Sequence, residues 1–314
     1  MDRSEAKFSP GEIMMSAITI ERNRLRDAPL WVHALAWGAF ALITLLWIVF
    51  YFAYRDDNVW LQWLGSDGAR QWPTGNETHF SERIYPNSVF RTSSNTWSNL
   101  GYVLVGVYIL AYALYDFRRP TTPRDPYAVC HPALMAYFGI FSVALGFGSA
   151  FMHASLTSIG GWSDIFAMFG SLVAMIALHW GRWIPSVSLG AIRLPVWPLL
   201  IAIALPVSYG LAEIHGRFSD IQIMTGLIGT VVTSFGIDFA LRRSSIQHRW
   251  YILSALSFAL AFAIWNLTNA KRFTDPDVWY QGHAIWHVLT AFSLGFMAIL
   301  YRSEAPSLGE RADA

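Results

Sequence analysis

Apolar residues in this chain are gathered into long runs, and polar residues into the short stretches between them. Eight runs stand out, at roughly 30–54, 96–115, 132–156, 162–180, 194–212, 219–241, 250–269 and 282–301. Each has about the 20 residues an α-helix needs to cross the hydrocarbon core of a bilayer. Backbone N–H and C=O groups in lipid must bond within their own segment, so runs of this length predict helices. The expected fold is all-α: a polytopic membrane protein with eight transmembrane helices. The sequence "TSIGG" separates the third and fourth runs, and Gly160 and Gly161 are expected to make that tight turn. Pro195, Pro198 and Pro206 are expected to start or kink the fifth span.

Composition supports a bilayer as solvent. Hydrophobic residues make up 54% of the chain and charged residues 14%, against about a quarter charged in soluble domains. A formal net charge of +1 leaves no basic excess to neutralise phosphates, which excludes nucleic acid as a partner. The single cysteine, Cys130, excludes an intramolecular disulfide and a cysteine-based zinc cage. Met1 to Asp27 carries no early apolar core, so the first span reads as a retained helix and not a cleaved signal.

Lysine and arginine set the orientation. With these spans, 15 of the 22 fall on the side of the two termini and 7 on the other. Both termini are therefore expected in the cytoplasm. The organisation expected is a tail over 1–29, a first helix over 30–54, an extracytoplasmic loop over 55–95, seven helices over 96–301 and a tail over 302–314. The loop's "PTGNETHFSERIYPNS" stretch is polar and turn-rich, and reads as a lid.

Ionisable side chains inside a membrane are costly and usually face the bundle interior. Two clusters could converge. In "GSAFMHASLTSIGGWSD" (148–164), Ser149 and His153 are i,i+4 and share a helix face, and Asp164 opens the next span. In "GHAIWHVLTAF" (282–292), His283 and His287 are again i,i+4, a spacing that suits two imidazoles on one cation. Both clusters fall at the outer ends of their helices. Three histidines with one open position make a catalytic zinc arrangement, which lowers the pKa of a bound water to about 7. Asp164 is then the candidate to move the proton, and Ser149 to stabilise the developing oxyanion or fix a histidine.

Other polar residues point to packing. Asp238 and Arg242 are i,i+4 at a helix end and read as a snorkelling ion pair. His33, His131, His179 and His248 read as interfacial, and His79 and His215 as loop residues outside. Ser98 and Asn99 read as helix–helix contacts. Glu82, Asn87 and Asn95 are candidate oxygen ligands for a hard cation such as calcium.

The two histidine clusters, together with "SERIYPNSVFRTSSNTWSNLGYVLVG" (81–106), resemble the alkaline ceramidase family in the same order along the chain. The wider superfamily includes the progestin and adiponectin receptors and GPI-remodelling proteins. The resemblance implies a seven-helix bundle, here with one extra N-terminal helix. It implies zinc on His153, His283 and His287, with Asp164 acting on the zinc water and Ser149 beside it. It also implies an active site that opens on the extracytoplasmic side and hydrolysis of the amide of a ceramide-like membrane lipid. Two rivals stay open: a receptor-like protein with structural zinc, and a hydrolase of an ester or a different amide. Thr92 stands where the family carries an acid, so one carboxylate of the family's calcium site is missing. A reporter fused after Ala314 is expected to stay inside the cell; a fusion displayed outside would reverse the orientation.

Overall fold

The computed structural model describes residues 28–57, 59–60, 78–122, 125–190, 192–214, 217–241, 244–245, 247–273 and 275–306. The tails before 28 and after 306, residues 61–77 of the long loop, His215 and Arg242 lie outside the described residues. Eight helical spans among the described residues are long and apolar enough to cross a membrane.

Helix α1 covers Leu30–Tyr54. A two-residue hairpin follows, β1 (Thr78–His79) antiparallel to β2 (Glu82–Arg83). Short α2 (Ser93–Ser98) runs into α3 (Leu100–Arg118) across Asn99, and together they make one span. Then come α4 (Tyr127–Cys130), α5 (Pro132–Ser155) and α6 (Ser158–Trp183). A small hairpin of β3 (Ser186–Leu189) and β4 (Ile192–Pro195) leads to α7 (Trp197–Ile214). Helices α8 (Asp220–Leu241), α9 (His248–Asn269) and α10 (Gly282–Ser303) complete the bundle.

The eight expected spans are all present, with ends shifted by a few residues. Pro198 lies in the first turn of α7 and Pro206 inside it, while Pro195 closes β4. The Gly160–Gly161 turn is not observed. Helix α6 already begins at Ser158, because the Thr157 side chain accepts the Gly160 N–H at 3.2 Å and caps it. Reversal occurs one residue earlier, where Leu156 adopts a left-handed φ of 52°.

Helix α5 is the centre of the bundle. Its Leu134, Met135 and Phe138 are buried against Val173 and Leu178 of α6 and Met297 and Leu300 of α10. Small residues let the backbones approach. A β-carbon on Gly146 would lie 3.0 Å from the Val103 nitrogen of α3, and one on Gly148 would lie 2.7 Å from the Ser163 carbonyl oxygen of α6. Such contacts substitute for the hydrophobic drive that lipid does not provide between helices. Helix α1 packs on α3 through Val32, Ala36 and Ala111, and exposes Leu35, Leu42, Leu46 and Phe52. Large apolar residues on α7, α8 and α9 also point outward, among them Leu205, Phe239 and Leu256. An outer surface this apolar fits a lipid environment.

Two fully buried carboxylates of the bundle are paired with cations. Asp116 of α3 takes Arg302 of α10 and Arg119. Arg242, the expected partner of Asp238, lies outside the described residues, but Asp238 does not snorkel outward. It is fully buried and accepts His179 Nε2 at 2.7 Å and Trp183 Nε1 at 2.6 Å, with Arg182 paired to it as well. His179 is accordingly buried at the α6–α8 contact and not interfacial. The reason is the cost of a lone charge facing lipid, which turns Asp238 inward to partners on the neighbouring helix. Removing one partner of such a buried pair strands the other. Asp238→Ala is expected to lower stability by about 3–5 kcal/mol, measured by unfolding in mixed micelles; an unchanged transition would deny the cluster that role.

Candidate metal centre

The last turn of α5 is fixed by chain entering α2. A helix C-terminus leaves carbonyls without partners. Here the Thr92 N–H and hydroxyl donate to the His153 carbonyl at 3.2 and 2.8 Å. The Arg91 N–H donates to the Ala154 carbonyl at 3.2 Å, and its guanidinium to the Ser155 carbonyl at 3.0 Å. The backbone carrying His153 is thereby held from outside its own helix. On the other side, the Gln281 amide just before α10 donates to the carbonyls of Asp275, Pro276 and Val278, which fixes the start of the helix that carries His283 and His287.

The three histidines meet. Ring centroids lie 5.0 Å apart for His153 and His283, 5.0 Å for His153 and His287, and 4.5 Å for His283 and His287. One ring nitrogen from each falls within 4.8 Å of the others, a grouping that can hold a metal ion. All three are buried, at 0%, 5% and 2% exposure. His153 Nε2 and His283 Nδ1 have no hydrogen-bond partner. Buried polar atoms are normally satisfied, so unpartnered ring nitrogens within a group of three imidazoles fit a cation as the missing partner. The remaining histidine is oriented from behind: Ser98 Oγ lies 2.8 Å from His287 Nδ1. Thr92 Oγ1 lies 3.5 Å from His153 Nδ1. Imidazole ligands suit zinc, copper, iron and nickel.

Asp164 stands beside the triad and not within it. The close approach at Gly148 puts Ser163 and Asp164 of α6 against α5 one turn deeper than His153, beside Ser149. Ser149 and Asp164 line the same cavity as His283 and His287. This cavity, of about 480 Å³, continues between the helices past Met168, Met224 and Leu294 to Met175, Tyr251 and Met297. Its lining includes Ile221 and Val232, which are nevertheless 47% and 49% exposed on the outside of the bundle. The cavity therefore opens sideways along α8. Helix α8 leans on α6, and α9 on α10.

Of the three expected oxygen ligands, the structure brings Glu82 and Asn95 together, with the Asn95 side-chain amide buried and without a hydrogen-bond partner. Asn87 is exposed while the other two are buried. Both Glu82 oxygens accept backbone N–H groups, from Ser94 at 2.7 Å and Asn95 at 2.9 Å. Glu82 thus starts α2, as a carboxylate at a helix N-terminus does. Burial pushes its pKa up to about 7, against those N–H donors, which pull the other way.

Four residues of the centre did not stand out in the sequence as parts of it. Ser98, read as helix contact, does reach across to α10, but to a histidine. Thr92 marked only a missing acid. His79, read as a loop residue outside, is buried with its ring 5.6 Å from that of His153, and burial lowers its pKa to about 4. Phe80 stacks on His283. No local pattern marks the last two, because the hairpin reaches the site through space. Comparison of the chain with known protein families and with curated proteins found no match.

Partners behind a metal-binding histidine fix its ring and tautomer. Ser98→Ala is expected to weaken metal affinity about 10–100-fold without unfolding the bundle, measured by competition with a chelator; unaltered affinity would separate Ser98 from the centre.

Proposed function

We propose that this chain is a zinc-dependent amide hydrolase of membrane lipids, of the alkaline ceramidase type. One observation carries the reading: a buried histidine triad with open ring nitrogens stands at the head of an apolar cavity that opens sideways along the bundle wall. The spacing of the motifs around His153, Asp164, His283 and His287 supports the same reading.

His153, His283 and His287 would hold the ion. A zinc ion bound there would supply Lewis-acid chemistry, lowering the pKa of a water and polarising a carbonyl. This chain's own residues supply the rest. Asp164, which lines the cavity together with Ser149, is the group that takes a proton from the attacking water and passes it to the departing amine. The Ser149 hydroxyl, in the same lining, is the candidate donor to the developing oxyanion. The products are a free fatty acid and an amino-lipid base.

The cavity suits one alkyl chain. From His287 to Met297 along α10 is ten residues, or about 15 Å at the helical rise. Its lining there is mostly Met, Leu, Ile, Val and aromatic, with hydroxyls at Ser171 and at the mutually hydrogen-bonded Ser254 and Ser293. Substrate enters from the bilayer along α8, its amide stopping at the triad. The charge asymmetry of the loops supports cytoplasmic termini, and a triad at the extracytoplasmic end.

The deciding experiment combines metal analysis of purified protein with fatty-acid release from N-acyl lipids and matched esters. Expected are one zinc per chain, and release from amides that His283→Ala and His287→Ala abolish together with the metal. Asp164→Asn is expected to keep the zinc and lose turnover by about 100-fold or more, the scale of general acid–base catalysis. Full turnover by metal-free protein would reject the reading. Bound zinc without hydrolysis of any lipid would point to a receptor-like role.

A further inference from the structure

We propose that Phe80, at the tip of the β1–β2 hairpin, is a positioning residue of the metal centre, which clamps the His283 ring and shuts the triad off from the water-facing end of the bundle. The inference rests on the triad holding a metal, and not on which lipid bond is cut.

The Phe80 ring lies flat on His283, with centroids 3.9 Å apart and planes 2° from parallel. It also meets His153 at 5.7 Å. His79 follows on the same side, with its ring 4.4 Å from Phe80 and 5.6 Å from His153. Two aromatic side chains of one hairpin therefore cover two of the three imidazoles.

The backbone explains why this is a built feature. Phe80 and Ser81 form the two-residue turn of the hairpin, at φ 48° and 68°. Turns with both central residues at positive φ favour Asn-Gly or Gly-Gly, and a bulky residue there is a steric outlier. Nothing local calls for phenylalanine. Such a conformation persists where its surroundings over-determine it, and it clusters at functional sites. Three separate segments supply that constraint. The Ser81 hydroxyl donates to the Thr268 carbonyl at the end of α9, at 2.8 Å. The Arg83 N–H donates to the Pro276 carbonyl at 3.1 Å, and its guanidinium takes both carboxylate oxygens of Asp277. Glu82 is tied to the start of α2. The α9–α10 connection that grips the hairpin is also the one that leads into His283.

This arrangement divides access. The hairpin covers the triad at the end of the helices, while the cavity below it opens sideways. A metal held there is shielded from water-soluble competitors and reachable from the bilayer side. A planar stack also restricts rotation of His283, whose Nδ1 is one of the open nitrogens.

The test is release of zinc from purified full-length protein in lipid nanodiscs to excess water-soluble chelator. Wild type and Phe80→Tyr, which keeps the stack, are expected to release slowly. Phe80→Ala is expected to release at least tenfold faster at an unchanged melting temperature. Arg83→Ala leaves every atom of the triad in place and loosens only the clamp; it is expected to accelerate release in the same direction, and decides the matter if Phe80→Ala does not fold. Wild-type rates in folded Phe80→Ala, or in Arg83→Ala when that variant decides, overturn the proposal while leaving the metal centre intact. Wild-type protein that takes up no metal overturns both.

Discussion

Close contact of α5 with its two neighbours is the constraint on which the rest depends. At Gly146 the backbone of α3 touches α5, and at Gly148 that of α6 does. A side chain at either position would push the helices apart. Van der Waals contact is the main force joining helices in lipid, so a gap there has no hydrophobic compensation. The same contacts bring Ser149 to Asp164 and the entry to α2 beneath the last turn of α5. Histidine placement is thus a consequence of backbone packing several residues away.

Polar groups divide into two sets by the same physics. Toward the end away from the triad, Asp116 and Asp238 are closed off by arginine, histidine and tryptophan partners, and each joins helices distant in sequence. Toward the other end, His153 Nε2 and His283 Nδ1 remain open although they are as deeply buried. A membrane interior penalises an unsatisfied polar atom severely. Two buried ring nitrogens left without partners in one group of three histidines mark the triad as a place that fits something from outside the chain. The apolar cavity beneath it and the hairpin above it give that place a lipid side and a water side.

Much of this was legible in the chain. Eight spans followed from the length of the apolar runs, because a bilayer imposes one thickness on all of them. His283 and His287 were legible as a pair from their i,i+4 spacing, and Ser149 with His153 likewise. Helix ends were less so. Gly160 and Gly161 suggested a turn, but the hydroxyl of Thr157 began the helix before them. Asp238 shows the same limit: its neighbours in sequence offered Arg242, which lies outside the described residues, and gave no sign of His179, Arg182 and Trp183, its neighbours in space.

By itself the sequence determined what the solvent must be, how often the chain crosses it, and which side chains on each helix share a face, since these depend on period and length alone. Only the tertiary structure decided which faces meet. That His153 joins a pair more than a hundred residues away, that Ser98 backs His287, that Glu82 starts a helix, and that Phe80 lies on His283 are outcomes of packing. Contacts of this kind are set by the distance between backbones, and no local periodicity encodes that distance.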